Sequence, residues 1–186
     1  MLIGITGTDG SGKGTVVDYL VANKGFVHYS ARAIWIDELI KRGEETSRAN
    51  MRLIANEMRE KYGNDFLITY YLKKIEEEGV ENAIIESIRA VSEAETLKAN
   101  GGILVAVDAN QKIRYARVQE RRSESDQVTY EQFQAHEELE TNDPNPHGMQ
   151  KQKVIGMADC TILNNGTLED FHAEIERFAT AYGIGV

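Results

Sequence analysis

Residues 7–15 read Gly7-Thr8-Asp9-Gly10-Ser11-Gly12-Lys13-Gly14-Thr15, directly after the apolar run Met1-Leu2-Ile3-Gly4-Ile5-Thr6. A strand, a glycine-rich turn and a helix start, in that order, make a cradle for phosphate. Glycines let the backbone fold closely round an anion so that successive N–H groups point inward, and the following helix offers its positive end. Lys13 adds a mobile point charge for β- and γ-phosphates. The spacing of Gly7, four residues, then Gly12-Lys13 is that of a Walker A loop. Gly14 stands where Ser or Thr is usual, and Thr15 follows one place later. The expectation is that all nine residues of the loop contact a nucleotide.

The rest of the chain bounds what kind of protein carries this loop. At 186 residues it suits one α/β domain with a substantial core. Its 41% hydrophobic and 27% charged residues are ordinary for a globular protein. A net charge of −9 argues against broad nucleic-acid or anionic-membrane binding, though not against a small anion met by local positive charge. Cys160 is the one cysteine, so neither an internal disulfide nor a cysteine-based zinc site can form. No apolar stretch approaches a membrane span, and the N-terminus reads as the first strand rather than a signal peptide. A cytoplasmic location is expected.

Strand and helix patterns alternate, which predicts a parallel sheet covered by helices on both faces. The strands expected are Leu2–Thr6, Phe26–Tyr29, Ala83–Glu86, Ile103–Asp108 and Thr161–Leu163. Helices are expected over Gly12–Asn23, Ala31–Lys41, Ser47–Tyr62, Asp65–Glu78, near Lys112–Arg122 and over Tyr130–Glu140. Ser47 and Asn64 read as N-caps; Gly43, Gly63 and Gly79 read as stops. Thr167, with Asp170 three residues on, reads as a further N-cap. Asn142–Gly148 holds both prolines and reads as a loop. Ligands in such sheets bind beyond the carboxyl ends of the strands, so Gly7–Gly14, Ser30–Arg32, Glu86–Arg89 and Asp108–Gln111 should share one rim.

Ile84-Ile85-Glu86 ends an apolar strand in a carboxylate, the Walker B arrangement that orients the water of a bound Mg²⁺. Thr15 offers a hydroxyl to the same ion or to a backbone carbonyl. Arg89 has the planar fork that clamps a phosphate. Arg117 and Arg121 lie four apart on a predicted helix and so share a face, with Arg114 and Arg122 beside them. No Asn-Lys-x-Asp base-reading motif is present: Asn23-Lys24-Gly25-Phe26 lacks the Asp. The four histidines have no metal-ligand spacing and read as structural or surface residues.

The Gly-Lys-Gly-Thr ending of the loop resembles adenylate kinase and other nucleoside monophosphate kinases. The segment Gly25–Arg32 resembles the part of that family that opens the acceptor-binding helices, and Glu86-Ser87-Ile88-Arg89 resembles its Asp-Gly-x-Pro-Arg strand end. Ala158–Asp170 resembles the last strand and turn of dephospho-CoA kinases and related archaeal P-loop kinases. The resemblance implies a three-layer P-loop NTPase fold with a five-stranded parallel sheet in one domain. Its core would be 1–30, 80–122 and 155–186, its acceptor-binding helices 31–79 and its lid 123–150. It implies ATP and Mg²⁺ as cofactors, with Thr15 and Glu86 toward the metal through water. Catalysis would fall to Lys13, Arg89, Arg117 and Arg121, the acceptor to Ser30, Arg32 and Arg89, and a contact near the adenine to Asn165. The activity implied is phosphoryl transfer from ATP to a nucleoside or deoxynucleoside monophosphate. Dephospho-CoA as acceptor, and an ATP-binding regulatory protein without turnover, remain the alternatives.

Overall fold

The computed structural model describes residues 1–120, 128–141, 143 and 145–185. Five parallel strands form one sheet in the order β2-β3-β1-β4-β5. They are β1 Leu2–Gly7, β2 Val27–Ser30, β3 Ala83–Glu86, β4 Ile103–Asp108 and β5 Cys160–Leu163. Each lies within one or two residues of its expected position. β1 sits at the centre, between β3 and β4, so the turn that leaves it emerges where the strand order reverses. That is the point at which open α/β sheets bind ligands.

Alternating side chains of the buried strands feed two cores. Ile3, Ile5, Ile84, Val105 and Val107 face α1 (Lys13–Lys24) and α9 (Leu168–Ala181), packing on Val16, Leu20, Phe171 and Ile175. Ala83, Ile85 and Leu104 face the other way. There they meet α2 (Ala31–Arg42), α3 (Arg48–Tyr62), α4 (Phe66–Glu78), α5 (Val91–Ala99) and α8 (Lys151–Gly156) through Trp35, Leu39, Ile68, Leu97 and Val154. The remaining helices, α6 (Gln111–Glu120) and α7 (Tyr130–Thr141), follow β4 beside the loop. The architecture is the three-layer P-loop fold.

Local signals act as the chemistry requires. Ser47 accepts from the Asn50 amide, and Gly43, Gly63 and Gly79 cap the ends of α2, α3 and α4. Thr167 and Asp170 form a reciprocal capping box at the start of α9. The cap expected at Asn64 falls instead at Asp65, because Asn64 Oδ1 is taken by His147 Nδ1 at 2.8 Å.

Two helices were not anticipated. α5 opens without a Ser, Thr, Asn or Asp cap; its Glu93, at the third helical position, turns back and accepts the Arg89 and Ala90 amides at 2.8 and 2.9 Å. α8 is a short helix of lysines and apolar residues after the proline loop, with Val154 packed into the core.

Glu93 has no solvent exposure, and its second oxygen accepts from Arg59 Nε of α3 at 3.0 Å. Removing one partner of such a pair leaves a buried charge uncompensated. Glu93→Ala should therefore lower unfolding free energy by about 3–5 kcal/mol. Urea denaturation measures this; a loss under about 1 kcal/mol would show that water reaches Arg59.

Candidate active site

The loop between β1 and α1 is shaped by what stands behind it. Gly12 has φ +102°, and a Cβ there would lie 2.5 Å from Asn164 Nδ2 and 3.0 Å from the Phe171 ring. That Nδ2 donates to the Ser11 carbonyl at 2.9 Å, so the end of β5 holds the loop from the rear. In front, the amides of Gly10, Gly12, Lys13, Gly14 and Thr15 donate to no protein acceptor among the described residues. Five unpaired N–H groups round a glycine turn at a helix N-terminus fit a polyphosphate in number and in sign. At Gly14 a Cβ would meet nothing within 4 Å, so packing does not demand the missing hydroxyl's replacement by glycine.

Charge is concentrated before this loop. Lys13 Nζ donates to the Thr8 carbonyl at 2.7 Å and the Gly7 carbonyl at 3.3 Å, and lies 4.0 Å from Asp9 Oδ1. The same Asp9 oxygen lies 3.8 Å from Arg89 Nη2 and 3.4 Å from Lys151 Nζ. Arg89 Nη1 and Lys151 Nζ also donate to Glu140 of α7. A second pair flanks the first: Arg114 of α6 grips Glu137 with both terminal nitrogens and donates to the Asp9 carbonyl at 3.1 Å. A cleft of about 370 Å³ opens between these groups, lined by Thr8, Gln111, Arg114, Glu137 and Lys151. Burial pushes the Lys13 ammonium down to about 8 from 10.5, partly opposed by Asp9 and reinforced by Arg89 and Lys151.

Glu86 ends β3 beside this group. His28 hydrogen-bonds it at 3.1 Å and, more than burial resists, holds its carboxyl below the usual range; Lys13 and Arg89 help. His28 is thus tied to the candidate site rather than merely placed on the surface. The donor set fits Mg²⁺ held mainly through water and phosphate, with hard oxygens at Glu86 and Thr15. Among the described residues no cluster of three His, Cys, Asp or Glu side chains forms a cage for a metal. Ser87, next after Glu86, has φ +70°, the left-handed conformation, at the place where the resembled motif has glycine. The turn geometry is kept although the residue differs.

The other expected residues spread along the rim. Ser30 pairs in register with Glu86, and its carbonyl accepts from Tyr71. Arg32 is exposed on the first turn of α2 and makes no ion pair among the described residues. Arg117 donates to the Asn164 carbonyl at 2.9 Å and to its Oδ1 at 3.1 Å, which puts it behind the loop. Asn165 is exposed and accepts from the Asn110 amide at 2.7 Å, while its neighbour Asn164 makes the loop contact. Thr8 donates to Asp108 at 2.6 Å, joining the loop to the end of β4. Arg121 lies outside the described residues. Asp9 entered the reading only as a loop residue, and Glu140, Glu137 and Lys151 not at all. No motif marks them, and only the acidic character of 123–145 pointed toward α7.

The sequence model of the AAA domain family matches residues 3–142. A UPF0200 protein of Methanothermobacter thermautotrophicus is 31% identical over 170 residues, spanning 90% of this chain and 83% of its own. The chain belongs to the AAA domain family and to the UPF0200 proteins. Among solved structures, shikimate kinase from Bacteroides thetaiotaomicron superposes with a TM-score of 0.61 at 12% identity, covering 99% of both chains. Dephospho-CoA kinase from Campylobacter jejuni gives 0.56 at 16% identity, covering 97% of this chain and 96% of that one. The fold is that of P-loop kinases.

Two predictions follow from the geometry. Ser87→Gly should raise stability by up to about 1 kcal/mol in urea unfolding, and Ser87→Val should lower it by more than that, because a β-branched residue resists positive φ. Equal effects of the two changes would contradict the turn. The second concerns Lys13. A bound polyphosphate favours its charged form, so binding above a free pKa of about 8 takes up a proton. Metal-free ADP affinity should hold below about pH 8 and then fall by up to about tenfold per pH unit. Calorimetry in buffers of different ionisation enthalpy measures the uptake; affinity that is flat to about pH 10 would refute it.

Proposed function

We propose that the protein is an ATP-dependent kinase that transfers the γ-phosphoryl group to a nucleoside or deoxynucleoside monophosphate. The observation that carries this reading is the approach of Arg89 and Lys13 to one point, Asp9 Oδ1, at 3.8 and 4.0 Å. Lys13 belongs to the phosphate loop and Arg89 to the end of β3, so a donor phosphate and an acceptor phosphate would meet between them. ATP lies along Gly7–Thr15 with its phosphates on the unpaired amides. Thr15 and Glu86 would hold Mg²⁺ through water, and the ion would supply charge neutralisation for the phosphates.

The acceptor lies against Ser30 and the α2–α4 helices, where Arg32 is free to reach it, with its phosphate on Arg89. An acceptor phosphate oxygen forms the new bond to the γ-phosphorus as the bond to the bridging oxygen breaks, and ADP leaves. Arg89 brings the attacking anion close to another anion, and Lys13 steadies charge on the transferring group and the departing ADP. Arg117 steadies the loop from behind through Asn164, and Arg121 is a further cation for the donor phosphates. The partner is a small molecule: positive charge is local to this cluster in a chain of net charge −9, which disfavours nucleic acid and anionic membranes. Among the described residues no helix is long and apolar enough to cross a membrane.

Dephospho-CoA is a second acceptor to test, favoured by the Ala158–Asp170 segment, whose Asn164 supports the loop. Incubation of the protein with ATP, Mg²⁺ and a panel of nucleoside and deoxynucleoside monophosphates, with dephospho-CoA included, should yield ADP and one phosphorylated product by mass spectrometry. A product from dephospho-CoA alone transfers the assignment to that acceptor. Lys13→Met and Arg89→Ala should each lower kcat/KM by about 10²–10³-fold. Intact ATP binding with no product from any acceptor would overturn the kinase reading in favour of a regulatory ATP-binding protein.

A further inference from the structure

Lys151 is a buried lysine on α8 that no motif marks, only 3% exposed, with its ammonium directed at the phosphate loop. A buried ammonium needs charged partners, and it has two carboxylates: Asp9 from the loop and Glu140 from α7. An ammonium has three donors, so two carboxylates do not by themselves mark a functional lysine. Lys151 also completes a set, because Lys13, Arg89 and Lys151 surround Asp9 Oδ1 at 4.0, 3.8 and 3.4 Å.

Charge-assisted hydrogen bonds close to about 2.7–2.9 Å, so at 3.4–4.0 Å none of the three is bound tightly to Asp9; Lys13 leans on the Thr8 carbonyl, and Arg89 and Lys151 on Glu140. A phosphoryl group, with three outward oxygens, offers each of them its own acceptor. The position of Lys151 is set independently of any ligand. The Gln150 amide donates to the Arg89 carbonyl at 2.8 Å, and Gln150 Oε1 accepts from the Val91 amide at 3.4 Å, so Lys151 and Arg89 move as one piece. Glu140 bridges the same two cations.

We propose that Lys151 is a third phosphate-binding residue, which joins Arg89 in a subsite for a phosphate-monoester group, and that Glu140 is the carboxylate this group displaces. The assignment deepens the kinase reading and, within it, makes Lys151 a contact of the transferring or accepting phosphate. Asp9 and Glu140 hold the cations in place until a phosphate arrives. Their negative charge then competes with the ligand, so the two kinds of residue have opposite effects on binding.

Inorganic phosphate is the probe, titrated into the full chain with and without saturating ADP, and ADP is titrated separately. Lys151→Met should weaken phosphate binding by about tenfold or more, and Lys151→Arg should recover most of it. Glu140→Gln should tighten phosphate binding severalfold. ADP affinity, carried by the loop and Lys13, should change by less than about threefold in all three variants. A purely structural Lys151–Glu140 pair predicts something else: both substitutions weaken phosphate and ADP together, and that result overturns the proposal. So does a wild-type protein that binds no phosphate, or a folded Lys151→Met variant that binds it unchanged. If Lys151→Met does not fold, Glu140→Gln decides the matter, since only a competing carboxylate gives tighter binding when neutralised. Lys151-dependent phosphate binding in a protein that binds no ADP would uphold the subsite while removing the kinase reading.

Discussion

Glu93 is the point from which the working face is held. One of its oxygens fixes Arg59 of α3, and the other fixes the amides of Arg89 and Ala90. The same short segment is tied to the central strand, because Thr6 Oγ1 donates to the Ile88 carbonyl at 2.8 Å. It is tied to α8 through Gln150. The backbone of Arg89 is therefore fixed from several sides, and its guanidinium is held in turn by Glu140 and Asp9. A buried ion pair is a weak source of net stability, since two charges lose their hydration. Its value here is positional: one side chain joins α3, the end of β3 and the start of α5.

A second constraint follows from concentrating cations where water is scarce. Lys13, Arg89, Arg114 and Lys151 lie near one another, and unopposed they would repel. The chain opposes them with Asp9, Glu137 and Glu140, two of which come from α7. The acidic 123–145 stretch has a reason in this arrangement. It supplies, through Glu137 and Glu140 of α7, the counter-charge to these cations. Lys13 registers the balance, since burial lowers its pKa further than the neighbouring carboxylate restores it.

What the sequence made legible was whatever the backbone dictates locally. The loop, all five strands and the helix stops at Gly43, Gly63 and Gly79 depend on steric limits and periodicities that span a few residues. α5 was hidden because its cap is a carboxylate inside the helix reaching backward, with Ala90 at the usual capping place. Lys151 was hidden because its partners are 142 and 11 residues away, and no local spacing links it to them. Asn164 and Asn165 were indistinguishable as letters. Strand register decides between them: Leu163 pairs with Asp108 at the end of β5, and the next residue turns inward to the loop while its successor faces solvent.

The departures from the resembled motifs divide by the same logic. Ser87 replaces a glycine yet takes the glycine's left-handed conformation, so the fold there imposes the geometry and tolerates a strained residue to keep it. Gly14 replaces a hydroxyl residue where a side chain has room, so packing does not impose that change. At the first position, backbone shape is what must be preserved. At the second, a side chain is absent without structural need, and Thr15 and Glu86 remain among the oxygen donors beside the loop. A metal held there through water, with its direct contacts mostly to phosphate, is the arrangement that needs no hydroxyl at position 14.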